Sequence, residues 1–210
     1  MRAVFNSSLF PEMEPVQLPD GRSAASVAEE CRETLQGFLD GSATTWGKTG
    51  LAVWLAGPYR LLTRLAPRPE ESGIRSTSDT VPASVRTQLR SDDLEGLMRS
   101  ARQEVTTTLR LACAHGNTSF AHTAIHAGAV TRTRDATGRA GWVPVDRNRM
   151  RLPDRVLSLA AADYLMRPAD YLTLLAVCSH CEAVSFDPQA RARGACRTHA
   201  TTLRKIRLPK

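Results

Sequence analysis

Two short pairs of ligand-type residues restrict this chain more than anything else in it. They are Cys178-Ser-His-Cys181 and, fourteen residues later, Cys196-Arg-Thr-His199. A Cys-x-x-Cys turn sets two thiolates on one side of an ion, and a second close pair completes a tetrahedral cage. The spacing predicts one Zn²⁺ site. Four protein donors close the coordination sphere, so the expected role is structural. A redox Cys-x-x-Cys would need one thiol activated at a helix N-terminus in a βαβ setting, and it leaves Cys196 and His199 without a role. Three unrelated buried thiols would have no reason to fall into two close pairs. His180 lies inside the first pair and competes with His199 as an alternative fourth ligand.

The stretches beside the first pair, Leu174–Val177 and Ala183–Phe186, are strand-like and put it at the tip of a hairpin. Over about residues 174–208 this arrangement resembles the zinc-ribbon and treble-clef group of modules. The resemblance implies a metal-clamped element and leaves function open, because such modules bind nucleic acids, proteins, or only their own domain. Many of these knuckles carry Gly after the second Cys, whereas Glu182 stands there in this chain.

A cytoplasmic, reducing compartment is the expectation. The start, Met1 to Glu12, has no continuous apolar core. Leu51–Gly57 is far shorter than the ~20 apolar residues of a membrane span. An odd count of five cysteines suits thiols and metal ligands better than disulfides.

Charge is divided unevenly along the 210 residues, whose net charge is +7. Residues 1–105 carry 12 basic and 14 acidic side chains, and residues 106–210 carry 16 and 7. Positions 190–210 hold seven basic residues and no acid. Such a tail attracts polyanions. Arg outnumbers Lys by 25 to 3, a skew that GC-rich coding also produces.

Read in order, residues 1–22 form an extended arm with Pro11, Pro15 and Pro19. Asp20 or Ser23 then caps a helix over about 24–39, whose stripe is Val27, Cys31, Leu35 and Phe38. Cys31 on that stripe reads as a buried small hydrophobe. Gly41 to Thr49 imitates a phosphate loop but has five residues between Gly41 and Gly47 where that motif has four. Residues 48–66 suggest a buried helix broken at Gly57-Pro58, completing a helical region over 23–66. Residues 67–90, rich in Pro, Ser and Thr, read as a linker or long loop before a main domain over 91–210. Ser91-Asp92-Asp93 opens a long helix with stripe Leu94, Leu97, Met98, Ala101, Val105, Leu109 and Ala112, stopped by Gly116. Ala129–Arg134 and Arg139–Val145 predict a hairpin around Asp135 to Gly138, and Pro153–Met166 a further helix. The expected fold class is α+β: mainly helical, with a small antiparallel sheet and a zinc-clamped C-terminal element.

A second metal cluster is suggested by Cys113, His115, His122 and His126; on a helix the last two share a face. Thr123 stands where a zinc protease needs Glu, and no Gly-x-Ser-x-Gly elbow occurs. Asp146, Asp154, Asp163 and Asp170 read as scattered solvated charges. The first functional expectation is therefore a non-enzymatic regulatory or adaptor protein whose basic half docks a protein partner, with an apolar patch or groove beside the zinc element. The second is nucleic-acid binding, with Arg147, Arg149, Arg151, Arg191, Arg193, Arg197, Arg204 and Lys205 on phosphates. The third is a metal-dependent enzyme at the Cys113/His115/His122/His126 cluster.

Overall fold

A computed structural model describes residues 15–18, 21–40, 94–145 and 150–200. The elements read from the sequence at 41–93, and the tail after 200, lie outside the described residues. In chain order the elements are β1 (Val16–Gln17), α1 (Ala24–Leu39), α2 (Leu94–His115), α3 (Ser119–His126), β2 (Val130–Arg134) and β3 (Ala140–Pro144). They continue with α4 (Leu152–Met166), α5 (Pro168–Thr173), β4 (Leu175–Val177), β5 (Val184–Phe186) and α6 (Pro188–Arg193). The fold is α+β, as the periodicity implies. No helix among the described residues is long and apolar enough to cross a membrane.

Helix α1 begins where the sequence places it, on a reciprocal cap. The Ser26 N–H donates to Ser23 Oγ at 3.0 Å and the Ser23 N–H to Ser26 Oγ at 3.2 Å. Val27, Cys31, Leu35 and Phe38 are fully buried, so the stripe and the reading of Cys31 both hold. Helix α2 buries Met98, Ala101, Val105, Leu109 and Ala112. It ends as Gly116, at φ 63°, donates its N–H to the Ala112 carbonyl at 3.0 Å.

The first sheet differs from expectation in one strand. β2 and β3 pair antiparallel, with Arg132 opposite Trp142. Part of the supposed arm, β1, adds to β2 in parallel, with Val16 opposite Thr133. The Leu18 N–H extends the pairing to the Arg134 carbonyl at 2.8 Å. At the β2–β3 turn, Asp135 Oδ1 accepts the N–H groups of Thr137 (3.0 Å) and Arg139 (2.9 Å). Gly141 has a packing reason: a Cβ there would lie 2.5 Å from the Ala24 Cβ, so its absence lets α1 rest on the sheet.

Helix α4 is the hub, touching α1, α2, α3 and β3. The sequence suggests one apolar side; the structure buries nearly all of it, including the small run Ala160, Ala161 and Ala162. Asp163 follows, and here the sequence reading fails. Asp163 is fully buried rather than solvated. Its Oδ2 accepts Arg32 Nε at 2.9 Å, and its Oδ1 accepts Arg167 Nε at 2.8 Å. The Tyr171 hydroxyl stands 3.0 Å from Oδ2. Arg32 also donates to Asp170 at 2.7 Å, and Arg167 pairs with Glu29. Asp154 is paired as well, with Arg151, while Asp146 lies outside the described residues. Buried charge has to be paired, and these partners come from α1, from α5 and from Arg167 at the junction of α4 and α5. Burial and the neighbouring Asp163 charge push the Tyr171 hydroxyl well above its ordinary pKa.

Candidate metal centre

The C-terminal element begins as a continuation of the main core. Leu175 of β4 is fully buried, and β4 pairs antiparallel with β5, Leu175 facing Phe186. Two turn bonds close the hairpin tip: the Cys178 N–H donates to the Ala183 carbonyl at 2.9 Å and the Glu182 N–H to the Cys178 carbonyl at 3.0 Å. Glu182 takes φ 60°. The chain thus takes a left-handed turn here without glycine, the residue that adopts it at no steric cost. Arg110 of α2 pairs with the Glu182 carboxylate across this turn.

The second ligand pair follows a helix the sequence reading passed over. Asp187 caps α6 by accepting the Gln189 N–H at 2.8 Å, and Pro188 occupies the first turn. Gly194, at φ 61°, ends it. Asp187-Pro188 and Gly194 are start and stop signals that were present in the sequence. The Gly194 carbonyl accepts both the N–H of Ser179 at 3.1 Å and its hydroxyl at 3.0 Å, which ties the two ligand loops together. A new helical turn starts at Arg197, the Ala200 N–H reaching the Cys196 carbonyl at 2.8 Å.

These turns bring Cys178, Cys181, Cys196 and His199 together, with all four donor atoms within 4.8 Å of one another. Cys181 Sγ lies 3.7 Å from Cys196 Sγ. His199 Nδ1 lies 3.2 Å from Cys196 Sγ and 3.7 Å from Cys178 Sγ. A tetrahedral ion with metal–sulfur bonds of about 2.3 Å needs edges of about 3.8 Å between sulfurs and about 3.6 Å from sulfur to nitrogen. The set is positioned to hold a metal ion.

The electrostatics agree. Burial raises the Cys178 thiol, but the N–H groups of Cys196, Cys181 and His180 outweigh it and bring the pKa down to about 6. The His199 N–H lowers Cys196 despite its burial. At Cys181 the Ala183 N–H favours the thiolate, yet burial and the two neighbouring sulfurs raise the pKa. Three thiolates in one cage repel one another, and a cation at the centre removes that conflict. Hydrogen bonding to Cys196 and then Cys178 raises the His199 imidazole.

No protein-family model, curated protein or solved structure matches the chain. What the site does must be read from its own residues.

His180, the alternative ligand, stacks on His199 with ring centroids 5.3 Å apart and stays outside the donor group. The second suggested cluster does not assemble. The Cys178/Cys181/Cys196/His199 set is the one such group among the described residues. Cys113 instead packs under Arg191, whose Nη1 donates to the carbonyls of Cys113 (3.1 Å) and Leu175 (2.9 Å). His115, His122 and His126 are exposed. The 119–126 segment is the helix on which His122 and His126 share a face, but Cys113 lies under Arg191 and does not join them in a donor group.

The basic residues divide. Arg191 is used internally, and Arg151 binds Glu104 and Asp154. Arg193 and Arg197, on either side of Cys196, face solvent. Arg147, Arg149, Arg204 and Lys205 lie outside the described residues. Phe186 anchors the element to the body, packing edge-on to Tyr171 at 4.9 Å with the Arg32 guanidinium 4.4 Å from its ring centre.

Proposed function

We propose that the chain is a non-enzymatic regulatory protein in which one structural zinc ion clamps a basic C-terminal element that binds nucleic-acid phosphate. Three thiolates and an imidazole in a tetrahedral set suit zinc, and four protein donors leave no coordination position for a substrate. The observation that carries the reading is how charge is used around the cage. Both acids of the element are engaged, Glu182 with Arg110 and Asp187 as the cap of α6, while Arg193 and Arg197 point outward. The sequence that follows adds Arg204, Lys205, Arg207 and Lys210 without an acid. Cationic side chains on a rigid, metal-held turn are what phosphate contacts require.

Docking of a protein partner is the second reading, favoured by Leu172 and Leu111, which are 60 % and 44 % exposed. One titration separates the two. Fluorescence anisotropy with a labelled DNA duplex, repeated across KCl concentrations, should give affinity that falls steeply with salt, with a log–log slope near −0.9 per phosphate contacted. Arg193→Ala with Arg197→Ala should flatten that slope by about 2. A flat salt response, or a slope unchanged by the double substitution, would leave the protein-docking reading in its place. Elemental analysis should return one zinc per chain.

A further inference from the structure

Away from the metal, helices α2, α3 and α4 leave an open cavity of about 580 Å³. That is within the usual size range of small-molecule sites, roughly 300–1,000 Å³. Its apolar lining comes from Phe120, Ala124, Met150 and Leu157, and Thr108 and Thr123 add hydroxyl groups. At one side stand Glu104, Arg151 and Asp154. Arg151 spends Nε and Nη2 on Asp154 at 2.9 Å each, and reaches Glu104 from Nη2 at 2.8 Å and Nη1 at 3.3 Å.

Among the described lining residues, two carboxylates against one guanidinium leave one negative charge at the end of a largely apolar cavity. The carboxylates are partly exposed, so their pairing with Arg151 contributes little and can be shared at small cost. Each carboxylate can accept more hydrogen bonds than Arg151 donates to it. The Glu104–Arg151 pair also lines a second cavity of about 240 Å³, so the charged corner opens on two sides. An anionic head group would meet both carboxylates, whereas a cationic one completes a balanced set of two positive and two negative charges.

We propose that this cavity binds a small organic monocation: an amine or guanidine whose head bridges Glu104 and Asp154 and whose apolar body lies on Phe120, Ala124 and Leu157. The site is independent of the metal centre. The test uses two probes with one fluorophore, dansylcadaverine, which ends in an ammonium, and dansyl-6-aminohexanoate, which ends in a carboxylate. The full chain should bind the ammonium probe saturably with a blue shift, and the carboxylate probe at least about tenfold more weakly. Glu104→Gln and Asp154→Asn should each weaken the ammonium probe about tenfold, and Arg151→Gln should tighten it by removing the competing cation. Thr123→Trp, at an exposed position of α3 lining the cavity, should block both probes without unfolding the chain, checked by circular dichroism. Equal affinity for the two probes, absence of saturable binding, or indifference to both Glu104→Gln and Thr123→Trp would overturn the assignment.

Discussion

Replacing Asp163 with Asn is the most demanding test of the fold, because it changes one charge and almost no volume. In the native state Asp163 accepts bonds from Arg32 Nε at 2.9 Å and Arg167 Nε at 2.8 Å, with the Tyr171 hydroxyl at 3.0 Å. Asn keeps one acceptor oxygen and turns an amide donor toward a guanidinium. Each charge-assisted bond contributes about 1.5–3 kcal/mol, so the two arginines together set a ceiling of about 3–6 kcal/mol. Arg32 keeps Asp170 and Arg167 keeps Glu29, which offsets part of the loss. A cost of about 3–5 kcal/mol follows, the range for breaking a buried pair by removing one partner. For a chain of this length that lowers Tm by about 6–20 °C. Urea unfolding followed by circular dichroism reads the difference directly. A change under about 0.5 kcal/mol would mean that water reaches these charges and that the buried network is wrong. Replacing Arg32 and Asp163 together by Met and Leu should recover part of the loss, since a well-packed apolar pair avoids the desolvation penalty.

Stripping zinc with a chelator should release hydrogen-exchange protection at the amides of Ser179 and Ala200 while α4 stays protected; retained protection at both in metal-free protein would contradict a structural role. Metal content should stay at one equivalent in His180→Ala and His126→Ala and be lost in Cys178→Ser and Cys196→Ser, as measured by elemental analysis. Gly141→Val should cost about 1–3 kcal/mol by overpacking, because its Cβ would sit 2.5 Å from the Ala24 Cβ, and Ala24→Gly should restore part of it in thermal melts. Asp135 is held below the usual aspartate pKa, first by the Thr137 hydroxyl and then, against its burial, by the N–H groups of Arg139, Ala24 and Thr137. Its contribution is therefore complete above the unfolded value of about 3.9 and is lost as pH falls through the lower folded value. Stability measured against pH should show a shallower acid limb in Asp135→Asn.

How far the fold was legible depended on how local its causes are. The stripe Val27, Cys31, Leu35 and Phe38 and the stop at Gly116 are carried by residues within a turn or two of each other, and they read correctly. That Cys178, Cys181, Cys196 and His199 come together was legible for a related reason: their spacing is itself the geometry of a group that could hold a metal ion. What escaped was non-local. Asp163 has the same sequence signature as a solvated acid, and only the approach of α1 and α5 to α4 supplies Arg32 and Tyr171. The two-residue strand β1 carries no periodicity at all and exists because the β2 edge was open to it. The second histidine cluster failed for the opposite reason: His122 and His126 do share a helix face, but nothing turns Cys113 toward them while Arg191 holds its carbonyl.

The place of the candidate metal-binding group follows from where apolar material runs out. The main core joins α1 to α5, the first sheet and Leu175, and it ends there. Beyond it, among the described residues, the C-terminal element buries only small side chains: Ala176, Cys178, Ala190, Ala195 and Ala200, with Cys196 against the metal-side group. Side chains this small offset little of the cost of ordering the turns around them, at about 1–2 kcal/mol per residue for the backbone alone. Contacts to the body help at three points, namely Arg110 with Glu182, Arg191 on the carbonyls of Cys113 and Leu175, and Phe186 against Tyr171. All three hold the hairpin and α6, and none reaches Cys196 to Ala200. The turn bearing Arg197 has a donor of the metal-binding group on each side of that arginine, Cys196 and His199. Metal occupancy should accordingly control where that arginine points far more strongly than it controls the stability of the body.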